Sequence, residues 1–538
     1  MEKSKAGTAL PPNTDLFPLP VFHHARLLSG YNSFLMKCLI GLLLPLWIAA
    51  CTPAPPPPDT LVIAVETGPA TLDPRIATDA ASVNVCRLIY APLFRRDAQM
   101  RLVPQLAEKL EMKDPLTYVI TLRRGLRFHT GAPLTAEDAR YSLLSIVDEK
   151  SASPMKTSLG EVADVETPDP LTLVVRLKKP FAPFEAGLTF GIVPHGAGKE
   201  LARNPVGAGP FRFVSYEPGD RLTLARNPDY MYGAPRLAGI VLKIVPDETV
   251  RLLELKKHNV HLVMNPITPA VLPWLGAQNG LVVKDGAGVN VSYLGFNMRD
   301  PALKNPLVRR AIAHAIDRRA IAARLLKGLA DPTETLIAPP NPYHAEGLSQ
   351  YPYSPETARR LLDEAGYPDP GGGRPRLTLT FKTSKNPTRR TQAEVFAENL
   401  ARAGIALQIK SMEWGAFFSD IKGGNFQMYS LTWVGIADPD ILHFIFHSSS
   451  IPPAGANRGG YANPALDRLL EEGRSASDEM ARKRIYGEVQ RLLAEELPFV
   501  TLWTGRNVAA MDVRLKGFVI YPDESLDSLA TAWLEKGE

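Results

Sequence analysis

The sequence predicts a mixed α/β protein with at least two lobes. Short runs of aliphatic residues alternate with segments in which apolar residues recur at helical spacing. In two places, 241–263 and 377–409, a strand, a helix and a second strand follow one another as in a βαβ unit. The chain of 538 residues is also longer than the ~250–300 residues at which single hydrophobic cores divide.

Apolar patterns outside the two βαβ units predict further strands and helices. Residues 61–65 are almost continuously apolar and predict a buried strand. Residues 81–94 have apolar residues at helical spacing and predict a helix with one buried face. Residues 211–214 and 221–224 flank a turn containing proline and glycine, which predicts a hairpin. Residues 499–503 predict a strand near the C-terminus.

Capping residues mark the starts of several helices. Thr135 precedes two acidic residues and predicts a helix from 136 to about 148. Pro306 suits a first helical position, and apolar residues at four-residue intervals from Val308 to Ala320 predict one helix across that range. Two more helices are predicted at 464–473 and 478–495.

The segment 36–50 has the pattern of a bacterial lipoprotein signal peptide. Lys37 precedes a short apolar run, and Ile-Ala-Ala stands immediately before Cys51. The run is shorter than the ~20 residues of a membrane-spanning helix. We therefore expect cleavage and lipidation at Cys51, with an uncleaved signal anchor as the alternative. Residues 51–58 would form a stiff proline-rich tether.

Residues 1–35 fit no secretory pattern, because acidic, basic and histidine residues precede the apolar run without periodicity. We expect translation to begin at Met36, which makes the first 35 residues a mis-assigned N-terminal extension. Of the three cysteines, Cys38 lies in the signal and Cys51 is the lipid site. Cys86 therefore has no cysteine left to pair with, and we expect it to be a small buried residue.

Charge and motifs exclude several classes of function. A formal net charge of +5 is too small to favour a nucleic-acid partner. The sequence contains no Gly-x-Ser-x-Gly elbow, no His-Glu-x-x-His pair and no phosphate-binding loop. We predict that the protein is not an enzyme and uses no cofactor.

Several motifs together resemble the family-five extracytoplasmic solute-binding proteins, the dipeptide- and oligopeptide-binding receptors of ABC importers. The longest is Phe-His-Thr-Gly-Ala-Pro-Leu-Thr-Ala-Glu-Asp-Ala at 128–139. The motifs run in the family's order across nearly all of the mature chain. They lie at 71–74, 128–139, 206–211, 226–230, 305–312, 315–318, 358–367 and 437–440.

The resemblance implies a two-lobed periplasmic-binding-protein clamshell with an inserted subdomain. The expected division is 59–92, 205–288 and 499–538 for lobe I, 93–204 for the inserted subdomain and 289–498 for lobe II. Together with the signal pattern that ends at Cys51, it leads us to expect a lipid-anchored monomer on the periplasmic side of the cell envelope. Such a protein captures a peptide between its lobes and delivers it to the permease and ATPase subunits of a transporter.

The resemblance places the ligand near residues 433–440. In the peptide receptors, an aspartate about three residues after a strand-end tryptophan binds the peptide's α-ammonium group. Here Trp433 is present, but Ile436 stands at the aspartate position. Either Asp438 or Asp440 takes over that role, or the ligand has no free amino terminus there. For Asp438 the alternative is a helix N-cap, and for Trp433 it is a place in the lobe core.

Two further residues are candidate ligand contacts. Asn297 ends a strand where the chain is expected to cross between lobes, and Arg458 lies in a glycine-rich loop where it could meet a carboxylate or stay solvated. His443 and His447 have the spacing of a helical metal site, but no further ligand is evident, so we predict no metal. His258 and His261 are expected near a helix-to-strand turn.

Other functions remain open from the sequence. The absence of an acid at Ile436 would suit a receptor for a non-peptide solute such as a sugar, a metal chelate or haem. An envelope hydrolase and a chaperone-like lipoprotein are the alternatives from other classes. The identity of the ligand and the membrane that holds the anchor do not follow from the sequence.

Overall fold

The computed structural model of the chain describes residues 59–151 and 153–536. All described elements belong to one compact unit, Pro57–Glu538. The predictions for the start at Met36, the signal peptide 36–50, the lipid site Cys51 and the tether 51–58 lie outside the described residues.

The strands fall into one large sheet and three small ones. They are β1 (Thr60–Val65), β2 (Phe94–Arg96), β3 (Leu102–Pro104), β4 (Ala107–Asp114), β5 (Thr117–Leu122), β6 (Val162–Asp169), β7 (Thr172–Leu177), β8 (Phe211–Glu217), β9 (Arg221–Arg226), β10 (Gly239–Ile244), β11 (Leu262–Met264), β12 (Leu281–Phe296), β13 (Ala330–Pro332), β14 (Leu377–Ser384), β15 (Ile405–Met412), β16 (Met428–Trp433), β17 (Phe499–Asp512), β18 (Leu515–Lys516) and β19 (Trp533–Leu534).

The α-helices pack on the faces and ends of these sheets. They are α1 (Ala80–Ile89), α2 (Ala136–Val147), α3 (Lys156–Leu159), α4 (Pro183–Gly187), α5 (Glu248–Lys256), α6 (Leu272–Gly276), α7 (Pro301–Lys304), α8 (Pro306–Ala315), α9 (Arg318–Ala320), α10 (Pro355–Glu364), α11 (Pro387–Ala401), α12 (Trp414–Lys422), α13 (Ile441–Phe446), α14 (Pro464–Ser475) and α15 (Glu479–Glu496). Short 3₁₀ or π turns occur at Lys199–Ala202, Pro269–Val271, Ile321–Leu325 and Asp527–Ala530.

An eleven-stranded sheet has the order β15-β14-β16-β12-β17-β11-β1-β10-β9-β8, with β13 paired to β17. Strand β1 lies parallel between β10 and β11, which α5 connects. Strands β14 and β15 lie parallel with α11 between them in sequence. Both predicted βαβ units are therefore confirmed. The predicted hairpin is confirmed as the antiparallel pair β8–β9.

Two long strands cross the middle of this sheet. β12 and β17 pair antiparallel from Leu281 opposite Asp512 to Gly295 opposite Phe499, with register shifts near Ala287 and Ser292. The predicted strand at 499–503 covers only the first third of β17. It stops where glycine, arginine and asparagine interrupt the apolar run, although the backbone ladder continues.

Separate apolar clusters lie on the two sides of this crossing. Clusters around β1, β10 and β11 lie on one side, and clusters around α8, α11 and α15 lie on the other. A further cluster lies between α2 and the separate four-stranded sheet β4-β5-β7-β6. That sheet falls inside the segment 93–204, whose boundaries as an inserted subdomain stay a prediction.

Two predicted helices were too long. The helix predicted at 81–94 ends at Ile89 because Tyr90 is extended, and the following Leu93 is buried in the cluster beside the four-stranded sheet. The helix predicted to reach Ala320 ends at Ala315. Ile316 is extended, and the side chain of Asp317 caps the separate turn α9. In both cases the apolar residues continue past the backbone break, so their spacing alone could not reveal it.

Other local predictions are confirmed. Thr135 precedes α2 and forms a reciprocal capping box with Asp138. Helices α14 and α15 cover the ranges expected from the sequence. Cys86 is buried, with 4% of its surface exposed. Among the described residues, no helix combines the length and apolar character needed to cross a bilayer.

A close contact between β12 and β16 gives a stability prediction. A Cβ atom on Gly295 would lie 2.4 Å from the ring of Tyr429, which is fully buried and has no room to retreat. We expect Gly295→Ala to lower the free energy of unfolding by roughly 1–3 kcal/mol. Thermal and urea unfolding would measure this change. Gly415→Ala, in an exposed position of α12 with no atom within 4 Å of the new methyl, is the control and should cause no loss.

Candidate ligand-binding site

A cavity of about 890 Å³ lies between two walls that are far apart in sequence. One wall is formed by β2, β3, the start of β4 and α4, and the other by 339–343, Ala437, Asp438 and the start of α15. Its volume lies in the range of roughly 300–1,000 Å³ that is usual for small-molecule sites. The lining contains apolar side chains, such as Phe94 and Tyr343, together with charged ones of both signs.

The two walls touch beside the cavity. The backbone N–H of Ala182 donates to the carbonyl oxygen of Arg474 at 2.8 Å, and the guanidinium of Arg474 lies 5.1 Å from the ring centroid of Phe181. Met100, in the turn between β2 and β3, is fully buried in the same apolar cluster as Ile436. The cavity is therefore bounded by contacts between the walls on more than one side.

Asp438 is on the cavity wall and is already paired. Arg482 donates to both carboxylate oxygens at 2.7 and 3.0 Å, and the N–H of Asp440 donates to Oδ1 at 2.9 Å. Burial acts to raise the pKa of Asp438, but the charge and hydrogen bonds of Arg482 outweigh it and lower the pKa. The carboxylate is thus ionised and neutralised within the protein. Its predicted contact with a ligand ammonium stays a prediction.

Asp440, and not Asp438, occupies the N-cap position of α13, although its side chain caps no backbone N–H. Its Oδ1 lies 3.0 Å from Nε of Arg474. Burial raises the pKa of Asp440 to about 6, while the charge of Arg474 opposes that rise. Asp438 and Asp440 therefore lie side by side, each next to an arginine from a following helix.

The structure brings Trp433 and Arg458 together. The guanidinium carbon of Arg458 lies 5.2 Å from the Trp433 ring and 5.4 Å from the Phe418 ring, and its Nη1 donates to the hydroxyl of Tyr293 at 3.1 Å. Trp433 also stacks on Tyr293 with ring centroids 6.1 Å apart. Neither predicted residue is among those that line the cavity. Their roles in ligand binding stay predictions.

Asn297 lies apart from these groups, at the end of β12. Its amide Nδ2 donates to the carbonyl oxygens of Gly424 and Phe426 at 3.1 and 2.8 Å. Its Oδ1 accepts from the N–H of Arg299 at 3.1 Å. These bonds attach the loop after α12 to the end of β12, and a role of Asn297 in ligand binding stays a prediction.

The histidine pair gains an acidic neighbour that the sequence did not suggest. The rings of His443 and His447 stack 4.3 Å apart, and Nε2 of His443 lies 3.0 Å from Glu471 Oε1. Arg474 Nη1 also lies 3.1 Å from that same Nε2. Burial and then the charge of Arg474 lower the pKa of His443 to about 4. A cation at these atoms would face a guanidinium, and the predicted absence of a metal stays a prediction.

Sequence reasoning missed two charged residues of the cavity wall. Arg96 ends β2, and Glu185 lies on α4. Neither belongs to a recognisable motif. The feature they share is a position on the cavity wall without an oppositely charged partner in the described part of the chain, and only the folded structure reveals it.

Comparison with known proteins agrees with this fold. Residues 101–451 match the bacterial extracellular solute-binding proteins, family 5 (middle). Because this match covers more than half of the chain, the protein belongs to that family. Its members are two-lobed solute-binding proteins of ABC importers, work outside the cytoplasm and are not enzymes.

Individual relatives match over most of their length. The glutathione-binding protein GsiB of Salmonella choleraesuis is 30% identical over 485 residues, which cover 86% of this chain and 92% of that protein. The structure of CtaP from Listeria monocytogenes has a TM-score of 0.80 and 26% identity, with 89% of this chain and 99% of that chain covered. DppA from Helicobacter pylori, solved with the peptide STSA, has a TM-score of 0.72 and 27% identity, covering 89% and 98%.

The raised pKa of Asp440 predicts a pH dependence of stability. A carboxyl that ionises near 6 when folded and near 3.8 when unfolded stabilises the fold below pH 3.8, and this contribution is lost as the pH rises through 6. Asp440→Asn removes the titration. We expect the difference in free energy of unfolding, variant minus wild type, to rise by roughly 1–3 kcal/mol from pH 4 to pH 7.5.

Urea unfolding at the two pH values would measure this difference. The control is Asp229→Asn, because Asp229 is exposed and forms no ion pair with another described residue. A relative stability of Asp440→Asn that does not change with pH would contradict the predicted titration.

Proposed function

We propose that the protein is a lipid-anchored receptor that captures peptides between its two lobes and delivers them to a permease in the cytoplasmic membrane. The observation that carries the proposal is the cavity of about 890 Å³ enclosed between two walls from different parts of the chain. Capture would close the lobes about the crossing strands β12 and β17, as in hinged binding proteins. The permease and its ATPase subunits would recognise the closed form.

The chemistry of the walls supports a peptide ligand. Apolar side chains, among them Leu102, Tyr118 and Tyr343, offer surface to the ligand's side chains, and charged groups of both signs lie between them. A peptide with free ends has that same combination of apolar and oppositely charged parts. The ligands of the relatives, glutathione for GsiB and the peptide STSA for DppA, are both short peptides and support the same class.

Peptide binding should raise the melting temperature of the mature protein. Ligand at 100 times its Kd adds about 2.7 kcal/mol of stability, which we expect to appear as a shift of roughly 2–5 °C. Tri-alanine, tetra-alanine and glutathione are the test ligands in differential scanning fluorimetry. Free alanine and maltose are the controls and should leave the melting temperature unchanged.

If no peptide raises the melting temperature but a sugar, haem or metal chelate does, the protein is a receptor for that non-peptide solute and the proposal is wrong. A protein that hydrolyses the added peptides would contradict both. The peptides recovered after the melt can be checked by mass spectrometry for intact length.

The lipid anchor is supported by the signal pattern that ends at Cys51. We expect Cys51→Ser to move the protein from the membrane fraction to the soluble fraction of the cell envelope and to abolish labelling by a radioactive fatty acid. Cys86→Ala is the matched control, because Cys86 is buried in the folded unit. This substitution should leave both membrane association and fatty-acid labelling intact. Membrane association that persists in Cys51→Ser would favour an uncleaved signal anchor.

A further inference from the structure

We infer that Glu185 binds the α-ammonium group and Arg96 the terminal carboxylate of a short peptide, so that the ligand completes two ion pairs that the described part of the chain leaves open. This inference rests on the proposed function and specifies its binding site. It replaces the ammonium-binding aspartate of the peptide receptors with a residue from the opposite wall. Ile436, at the aspartate position, is 3% exposed and packed in an apolar cluster, so no charge is available there.

The other charged residues of the cavity are paired or face solvent. Glu108 is exposed. The paired residues have partners at hydrogen-bond distance, namely Arg101 with Asp97 at 2.7 Å, Lys109 with Glu111 at 2.9 Å, Arg482 with Asp438 at 2.7 Å and Lys483 with Glu479 at 2.7 Å. Arg96 and Glu185 are the remaining charged residues that line the cavity within the described ranges.

Glu185 is held firmly in place. The preceding Phe184 is fully buried, and its ring centroid lies 4.9 Å from that of Tyr118. The carboxylate of Glu185 has no hydrogen bond or ion pair in the described part of the chain. Burial raises its pKa, the charge of Arg482 opposes the rise, and Glu479 and Asp438 add to it. A partly buried carboxylate without an ion-pair partner among the described residues favours the arrival of a cation.

Arg96 is fixed at the end of the β2–β3 hairpin. It lies opposite Leu102 in the ladder, and its Nη1 donates to the carbonyl oxygen of Met100 at 3.0 Å. The remaining donors of the guanidinium have no carboxylate partner among the described residues. Burial lowers the pKa of Arg96, although the charge of Asp438 opposes the shift. A guanidinium with free donors can bind a carboxylate through two parallel hydrogen bonds.

The two groups do not satisfy each other. They form no ion pair, and Arg96 is not among the charges that shift the pKa of Glu185. A ligand with one charge could form an ion pair with only one of them. A peptide with free amino and carboxyl ends completes both, which gives selectivity for unblocked peptides while leaving the side chains free to vary.

Blocked peptides test each end separately. Isothermal titration calorimetry would compare tri-alanine, N-acetyl-tri-alanine and tri-alanine amide, together with glutathione, its N-acetylated form and its glycine ethyl ester. We expect Glu185→Gln to weaken binding of a free peptide at least tenfold and to leave binding of its N-acetyl form unchanged. Arg96→Gln should weaken binding of the free peptide by a similar factor and leave binding of the carboxyl-blocked form unchanged.

Charged neighbours on the same walls provide the matched controls. Glu108→Gln removes an exposed charge and Arg101→Gln a paired one, and both variants should preserve the full discrimination between free and blocked peptides. Circular dichroism and melting curves would establish that each variant is folded.

The outcomes distinguish failure of the assignment to Glu185 and Arg96 from failure of the proposed receptor function. If the wild type binds free peptides but Glu185→Gln and Arg96→Gln discriminate against blocked forms as strongly as the wild type does, the assignment is overturned and the receptor function stands. Loss of discrimination in Arg458→Gln instead of Arg96→Gln would move the carboxylate site to the aromatic cluster. If the wild type binds no peptide of either series, the proposed function fails and the assignment falls with it.

Discussion

The pairing of β12 with β17 is the constraint on which the rest of the structure depends. These strands lie at the centre of the eleven-stranded sheet, and the two groups of apolar clusters meet at this ladder. The register shifts near Ala287, and a Cβ on Gly288 would lie 2.4 Å from the carbonyl oxygen of Gly505. The crossing is therefore close-packed and irregular in register at the same point. That combination suits a connection that must hold two lobes together while their relative angle changes.

The charges around the cavity divide into those that serve the protein and those left for a ligand. The Asp438–Arg482 pair links the segment after β16 to α15, and removal of either partner would leave a buried charge without compensation. Arg474 similarly reaches Asp440, His443 and the opposite wall near Phe181. These pairs stabilise the walls. Among the described residues of the cavity wall, Arg96 and Glu185 are the partly buried charges without an ion-pair partner, and we assign recognition of the ligand to them.

Much of the fold follows from local patterns in the sequence. The βαβ units, the β8–β9 hairpin and the capped start of α2 each depend on residues close together in the chain, and all were predicted. The ends of α1 and α8 were not, because apolar residues such as Leu93 and Ile316 keep helical spacing after the backbone has left the helix. The continuation of β17 past Trp503 depends on its partner β12, which lies more than 200 residues away and cannot be inferred locally.

The candidate site was harder to predict than the fold, because pairing of charges is a property of the folded chain. Asp438 and Asp440 were identified from their place after Trp433, but the sequence could not show that arginines from later helices lie beside them. Arg96 and Glu185 come from segments without motifs, and only the folded structure shows that they line the same cavity. Family resemblance indicated the class of protein and the neighbourhood of the site. The central claim, that this cavity holds a peptide, is tested most directly by native mass spectrometry of the mature protein as purified. We expect added masses that fragment as short peptides with free ends. A protein that carries no peptide and gains none on incubation with tri-alanine or glutathione would contradict it.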